Sequence, residues 1–495
     1  MGVFQLFLNQ MRFLLSLALC AVFVLPGAGP STQPMGAAAT TYAARLLGGA
    51  DDDAARAVAL DPSGNIIIAG YTASANFPIS PTGSAPAGVD VFVAKLTPAG
   101  QPIFVKVFGG SSTDMPSAVA MDAQGNIYVA GTTYSPNFPT SGAASSYSGG
   151  ADAFVMMLNS SGAVQFSRYL GGADFDQAAG IAVLGGDVFV AGVTASRNFI
   201  TTSGAFATAH AGGLYDGFIT RLGSAGNPGN VIASTYLGGN DDDDLRAIAL
   251  DGQGRPVVAG DTLSVNFPTN GGLQTSKAAG LDMFAAQLSA DLSAVQAGTF
   301  LGGSGDDAAS AIAITSAGDV ILAGNTTSAN FPVLGGAQTA LAGGKDAALV
   351  KLNAQMTTLA FGTFLGGAAD DDANGVALGA DGELVVAGVT ASANFPVIGT
   401  TFTAPAGGAD AFVTRINAAG NALVFSGRFG GAGDDYANGV AVTSSGAVFA
   451  AGETTSANFP STSGQTFGGV NDAFVISLSE QQQSVYKTML PMIQK

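Results

Sequence analysis

"GGADDDAARAVALDPSGNIIIAG", residues 48–70, is the stretch on which the fold of this chain turns. Three aspartates lead into a short alanine-rich run, then a turn-forming Asp-Pro-Ser-Gly-Asn, then an apolar run closed by Ala-Gly. Nearly the same string returns as "GGNDDDDLRAIALDGQGRPVVAG" at 238–260 and "GGAADDDANGVALGADGELVVAG" at 366–388. The apolar runs are short, rich in Val, Ile, Phe and Tyr, and bounded by Gly, Asn and Asp. That is the grammar of strands, not of helices.

Working outward, Gly-Gly pairs preceded by Leu or Phe stand at Leu47, Phe108, Leu170, Leu237, Leu301, Leu365 and Phe429. Each opens a unit with the same order of marks: an acidic turn, a strand such as "AVAL", a turn, and a second strand ending in Ala-Gly. A loop containing Ser-x-Asn-Phe-Pro follows, then a third strand opening on Asp ("DVFVAKL") and a fourth running to the next Gly-Gly. Four short antiparallel strands repeated seven times predict an all-β, seven-bladed β-propeller. In such a ring both faces of each blade are covered, so strands such as "NIYVAG" need not alternate. The array begins with a lone fourth-strand segment, "TYAARLLGG" (41–49), and ends on a third strand, "DAFVISL" (472–478). The amino-terminal segment is therefore expected to complete the last blade and remove two sheet edges. The tail segment "SVYKTML" (484–490) lacks the Leu-Gly-Gly mark and is the weaker candidate for that strand.

These marks, Leu-Gly-Gly…Asp-Asp…Ala-Val-Ala, then Gly-Asn…Val-Ala-Gly-x-Thr-x-Ser-x-Asn-Phe-Pro, then Gly-x-Asp-Ala-Phe-Val, resemble the bacterial seven-bladed β-propeller repeat family, the SBBP repeats. The resemblance covers roughly residues 41–478. It implies a secreted or surface propeller and brings no catalytic residues with it. One departure is Ile200, where the other six units carry Pro.

The composition narrows the function. Net charge is −18, with 17 basic against 35 acidic residues. No basic patch exists to neutralise phosphates, so nucleic acid is not an expected partner. Arg12 precedes an apolar run, Phe13–Leu25, followed by small residues and Pro, which reads as an export signal too short to span a membrane. The expected organisation is a signal peptide over 1–29, with cleavage near 27–29 or as late as 39, and a linker over 30–40. The propeller occupies 41–478 and a tail 479–495. Cleavage removes Cys20, the one cysteine, and with it any disulfide. No membrane span follows, and the expected product is a secreted or cell-surface monomer.

Both the acidic turns and the Ser-x-Asn-Phe-Pro loops are expected on one face of the disc. Four residues after the second Gly an Asp occurs in every unit: Asp53, Asp114, Asp176, Asp243, Asp307, Asp371 and Asp435. One reading is that each caps its turn by accepting backbone N–H bonds. The other is a carboxylate rim around the channel mouth that binds Ca²⁺, a hard cation taking 6–8 oxygen ligands. Sevenfold identity favours the first, because a unique site should break symmetry. The third-strand Asp and the Asn-Phe pair are read as architectural too, the Phe plugging between blades.

Symmetry breaking is the better pointer to a ligand. The third unit has the longest second-to-third loop, "TTSGAFATAHAGGLYDG" (201–217), a long third-to-fourth turn (223–230), and an "NDDDD" run (240–244) after it. Its His210, the one histidine, with Tyr215, Asp241 and Asp242, are the ligand-loop candidates. One His and no retained Cys exclude Ser–His–Asp and Cys–His hydrolases and His/Cys zinc sites. The expected function is a module for binding or surface assembly, Ca²⁺-assisted in one version, whose partner is an extracellular protein or glycan. The alternatives are a secreted polysaccharide hydrolase or lyase using Asp as acid and base, and a passive envelope scaffold. Trp, a common sugar platform, is absent, which weighs against the enzyme.

Overall fold

The computed structural model describes residues 40–79, 88–142, 145–223, 229–399 and 407–480. The expected export signal and its expected cleavage sites lie outside the described residues, as do the tail from 481 and 224–228 of the long turn in the third unit. The described residues form seven four-stranded antiparallel sheets and no helix.

Blade one shows why these residues form a blade. Its strands are Asp53–Leu60, Ile66–Thr72, Asp90–Leu96 and Pro102–Phe108. The second and third are buried at every position, which accounts for their unbroken apolar runs. The first is half-buried over most of its length, and the fourth begins exposed. Between the first two strands Asp61 caps the turn, its Oδ1 accepting the N–H groups of Ser63 and Asn65 at 2.8 Å each.

All seven first strands carry a bulge at one place, Ala55/Ala57 in blade one, opposite the Gly of Ala-Gly. A Cβ on Gly70 would lie 2.1 Å from the Ala54 carbonyl oxygen and 2.5 Å from the Phe92 ring. Only glycine fits, and that is the physical content of the repeated Ala-Gly.

The ring closes as expected. Strand Thr40–Leu47 pairs antiparallel with Asp472–Glu480, from Thr40 opposite Glu480 to Leu47 opposite Ala473. It is the outermost strand of a sheet whose inner strands are Asp435–Val442 and Val448–Thr454. First strands touch their neighbours all the way round, blade seven against blade one included. Two asparagines reach across those seams: Asn374 Nδ2 donates to the Ala437 carbonyl (3.0 Å) and Asn438 Nδ2 to that of Ala55 (2.9 Å). The core lies between blades. One cluster joins Ile66, Ile68 and Phe92 of blade one to Phe449, Ala451 and Val475 of blade seven. The Phe of Asn-Phe joins it, Phe77 packing on Phe92 with centroids 4.8 Å apart.

Candidate ligand pocket on blade three

The seven first-strand aspartates are fully buried in the seams. Each carboxylate accepts the N–H of the second Gly of its Gly-Gly pair and the hydroxyl of the Ser in Ser-x-Asn-Phe. For Asp53 the partners are Gly49 N (2.6 Å) and Ser74 Oγ (2.7 Å); for Asp371 they are Gly367 N (2.7 Å) and Ser392 Oγ (2.8 Å). The same pair serves Asp114, Asp176, Asp243, Asp307 and Asp435. In blades two to five the Thr ending the second strand adds a third bond. The loop Asn completes the joint, as where Asn76 Oδ1 accepts Ala50 N–H at 2.9 Å. Among the described residues no group of three or more His, Cys, Asp or Glu is arranged to hold a metal ion.

Among the described residues, in five blades the Asp opening the third strand accepts a backbone N–H from its preceding loop, as Asp152 does from Ser148 (2.9 Å) and Asp472 from Gly468 (2.9 Å). It also sits against the first Gly of Gly-Gly: a Cβ on Gly48 would lie 2.1 Å from Asp472 Oδ1. A Cβ on Gly49 would meet Ser74 and Asn76 within 2.6 Å. Two carboxylates thus share each seam, and burial pushes them up. Asp152, Asp216, Asp243 and Asp472 rise to about 6 and Asp410 to about 7, with the neighbouring carboxylate a smaller cause in the same direction.

Blade three departs from this regularity at one place. Asp174, Phe175, Arg197, His210, Leu214 and Tyr215 border a pocket of about 380 Å³. It lies among the link entering the blade, the loop after its second strand (Asp187–Thr194) and the loop before its third (Asp216–Gly223). His210 is sealed from water, its side chain 2% exposed, and neither ring nitrogen has a hydrogen-bond partner. Nδ1 lies 3.4 Å from Asp216 Oδ2, which is taken by the Ala211 N–H. Burial, and then the Arg197 charge, hold the imidazole below its usual value, so it is neutral at pH 7. Tyr215 meets Phe175 edge to face at 6.1 Å. Asp242 secures this loop from the next seam, its Oδ1 accepting Leu214 N–H (2.6 Å) and Tyr215 N–H (3.3 Å). Asp241 stays within its own turn, its Oδ1 accepting Asp242 N–H at 3.1 Å.

The structure therefore brings His210 and Tyr215 together and gives Asp242 a supporting part. It adds two residues that the loop-length argument missed, Phe175 and Arg197. Both are visible once the units are compared column by column. Phe175 replaces an acid present as Asp52, Asp242, Asp306, Asp370 and Asp434, with Thr113 in the remaining unit. Arg197 stands where the other units have Ala75, Pro136, Val265, Ala329, Ala393 and Ala457.

No curated protein matches this sequence. Among solved structures the chain is similar to a catalytically inactive virginiamycin B lyase from Staphylococcus aureus with quinupristin. Identity is 10%, over 89% of this chain and 100% of that one, with a TM-score of 0.41. It is also similar to quinohemoprotein alcohol dehydrogenase from Comamonas testosteroni (10% identity, 88% and 76% covered, TM-score 0.37). A third is a protein of unknown function from Bacteroides caccae (11%, 68% and 89%, TM-score 0.34). These are likenesses of fold alone. Residues 44–78 and 103–139 match the family described as Beta-propeller repeat, SBBP, and the structure carries that unit through all seven blades. The chain is a seven-bladed β-propeller, two stretches of which match the SBBP β-propeller repeat.

Proposed function

We propose that this propeller is an exported binding module whose ligand sits on blade three. One observation carries the reading: two departures from the repeat, Phe175 and Arg197, and two residues of its longest loop, His210 and Tyr215, converge on a single pocket. Drift in a scaffold would scatter such departures around the ring. Leu214, which borders the same pocket, is an exposed apolar side chain at 61%. Export is supported by the basic-then-apolar leader at Arg12–Leu25.

Glycan and protein arrays test the proposal, probed with the wild-type chain and with Arg197→Ala/Tyr215→Ala. Binding lost in the double variant supports it; binding unaffected by the pair, or no binding at all, sinks it. Calcium assistance is tested by melting. Because Gly, Ser and Thr donors already occupy the buried aspartates, added Ca²⁺ is expected to leave Tm unchanged. A rise abolished by chelator would restore the metal-bearing rim.

A further inference from the structure

Resting on the binding reading, we infer that the blade-three pocket takes a small monocarboxylate with a planar apolar body, its carboxylate on Arg197 and its plane against Phe175 and Tyr215. Arg197 is exposed and forms no ion pair or hydrogen bond with any described residue. A guanidinium presents its donors as a rigid fork that matches a carboxylate in two parallel bonds. The half-buried rings of Phe175 and Tyr215, together with Leu214, give an apolar wall. Pockets of this make-up take a mostly apolar body fixed by a few convergent polar groups.

One further observation narrows the class. Charge limits the ligand to a single negative group. Asp174 borders the pocket, Asp216 lies beside His210, and the chain carries −18 overall. A polyanion drawn to Arg197 would meet that field with every further charge. A volume of about 380 Å³ suits one ring with its substituent.

The test is calorimetry at low salt and pH 7.5 with phenylacetate as probe. Phenylacetamide, phenethylamine, isophthalate and D-glucuronate serve as comparisons. Phenylacetate is expected to bind, with the amide, the amine and the dicarboxylate each at least about tenfold weaker, the scale of one charge-assisted hydrogen bond. Arg197→Ala is expected to weaken phenylacetate at least about tenfold, and Phe175→Ala and Tyr215→Ala several-fold. Val265→Ala, in the same column of blade four, should leave it unchanged. Arg197 is exposed, so an unaltered melting curve certifies that its variant is folded. No phenylacetate binding, equal binding of the amide, indifference to Arg197→Ala, or glucuronate bound in place of phenylacetate would overturn the inference. If an array ligand depends on Arg197 and Tyr215 while no planar carboxylate binds, the inference falls and the binding reading stands.

Discussion

At the scale of single residues, the repeat motif is a wiring diagram. Leu-Gly-Gly, the Asp four residues on, and Thr-x-Ser-x-Asn-Phe are far apart in sequence but meet in one joint per seam. Asp371 Oδ2 accepts from Gly367 and Ser392, both buried. Asp371→Ala strands those two donors without an acceptor, at about 1–3 kcal/mol each. The expected loss is about 3 kcal/mol, read as a lowered urea midpoint. Asp370, its exposed neighbour, makes the control, with Asp370→Ala expected within about 0.5 kcal/mol of wild type. A calcium-holding rim predicts the opposite ranking of measurements: both variants would then matter mainly when the cation is present.

At the scale of elements, the decisive piece is the amino-terminal strand. Thr40–Leu47 brings Ala44, Leu46 and Leu47 into the interior of the last blade and covers the edge of Asp472–Glu480. A chain beginning at Gly48 loses the burial of those side chains, about 1.5–3 kcal/mol for each leucine. It also gains an open apolar edge. It is expected to melt well below the full chain and to self-associate in size-exclusion chromatography. Added "TTYAARLLGG" peptide should reverse both effects by strand addition. Unchanged melting of the truncated chain would mean that another segment closes the ring. The long loops have an element-scale purpose too. Phe206 N–H reaches the Leu292 carbonyl of the next blade (2.8 Å), and Leu273 reaches that of Met356 likewise (2.8 Å). Leu292 and Met356 hold φ of 59° and 56°, left-handed values that few non-glycine residues adopt, at the points where the loops latch.

At the scale of the whole molecule, seven seams each bury two carboxyls, and this sets the response to pH. Asp152, Asp216, Asp243, Asp261 and Asp472 sit near 6 and Asp410 near 7, in every case chiefly through burial. A carboxyl raised in the folded state binds more protons there than in the unfolded chain. Its contribution is fully present below the ordinary value of 3.8 and is lost as pH rises through 6 to 7. His210, lowered, works the other way below its usual 6.5, but it is one group against six. Acidification also relieves the self-repulsion of a chain at −18. Tm is therefore expected to be several degrees higher at pH 5 than at pH 7.5, by calorimetry at constant ionic strength. A Tm that is flat, or that rises with pH over that window, would show that the seam carboxyls are not protonated in the fold.

Strand grammar, sevenfold spacing and complementary ends were all written in the primary structure, because each is local or is a matter of counting. "NIYVAG" reads as a doubly covered strand wherever it is placed, and a lone strand at one end matches a missing strand at the other. His210, Tyr215 and Asp242 could be singled out on loop length and rarity. What only the tertiary structure decided is which loops face each other. Phe175 and Tyr215 lie forty residues apart, in the link into blade three and at the end of its second-to-third loop, and the packing of link against loop sets their rings edge to face. The aspartates lie buried in the seams, with donors from the Gly-Gly turn and the loop Ser, because neighbouring blades pack on both sides of each joint. No pattern of residues along the chain carries that information. It comes from excluding water between sheets that are distant in sequence.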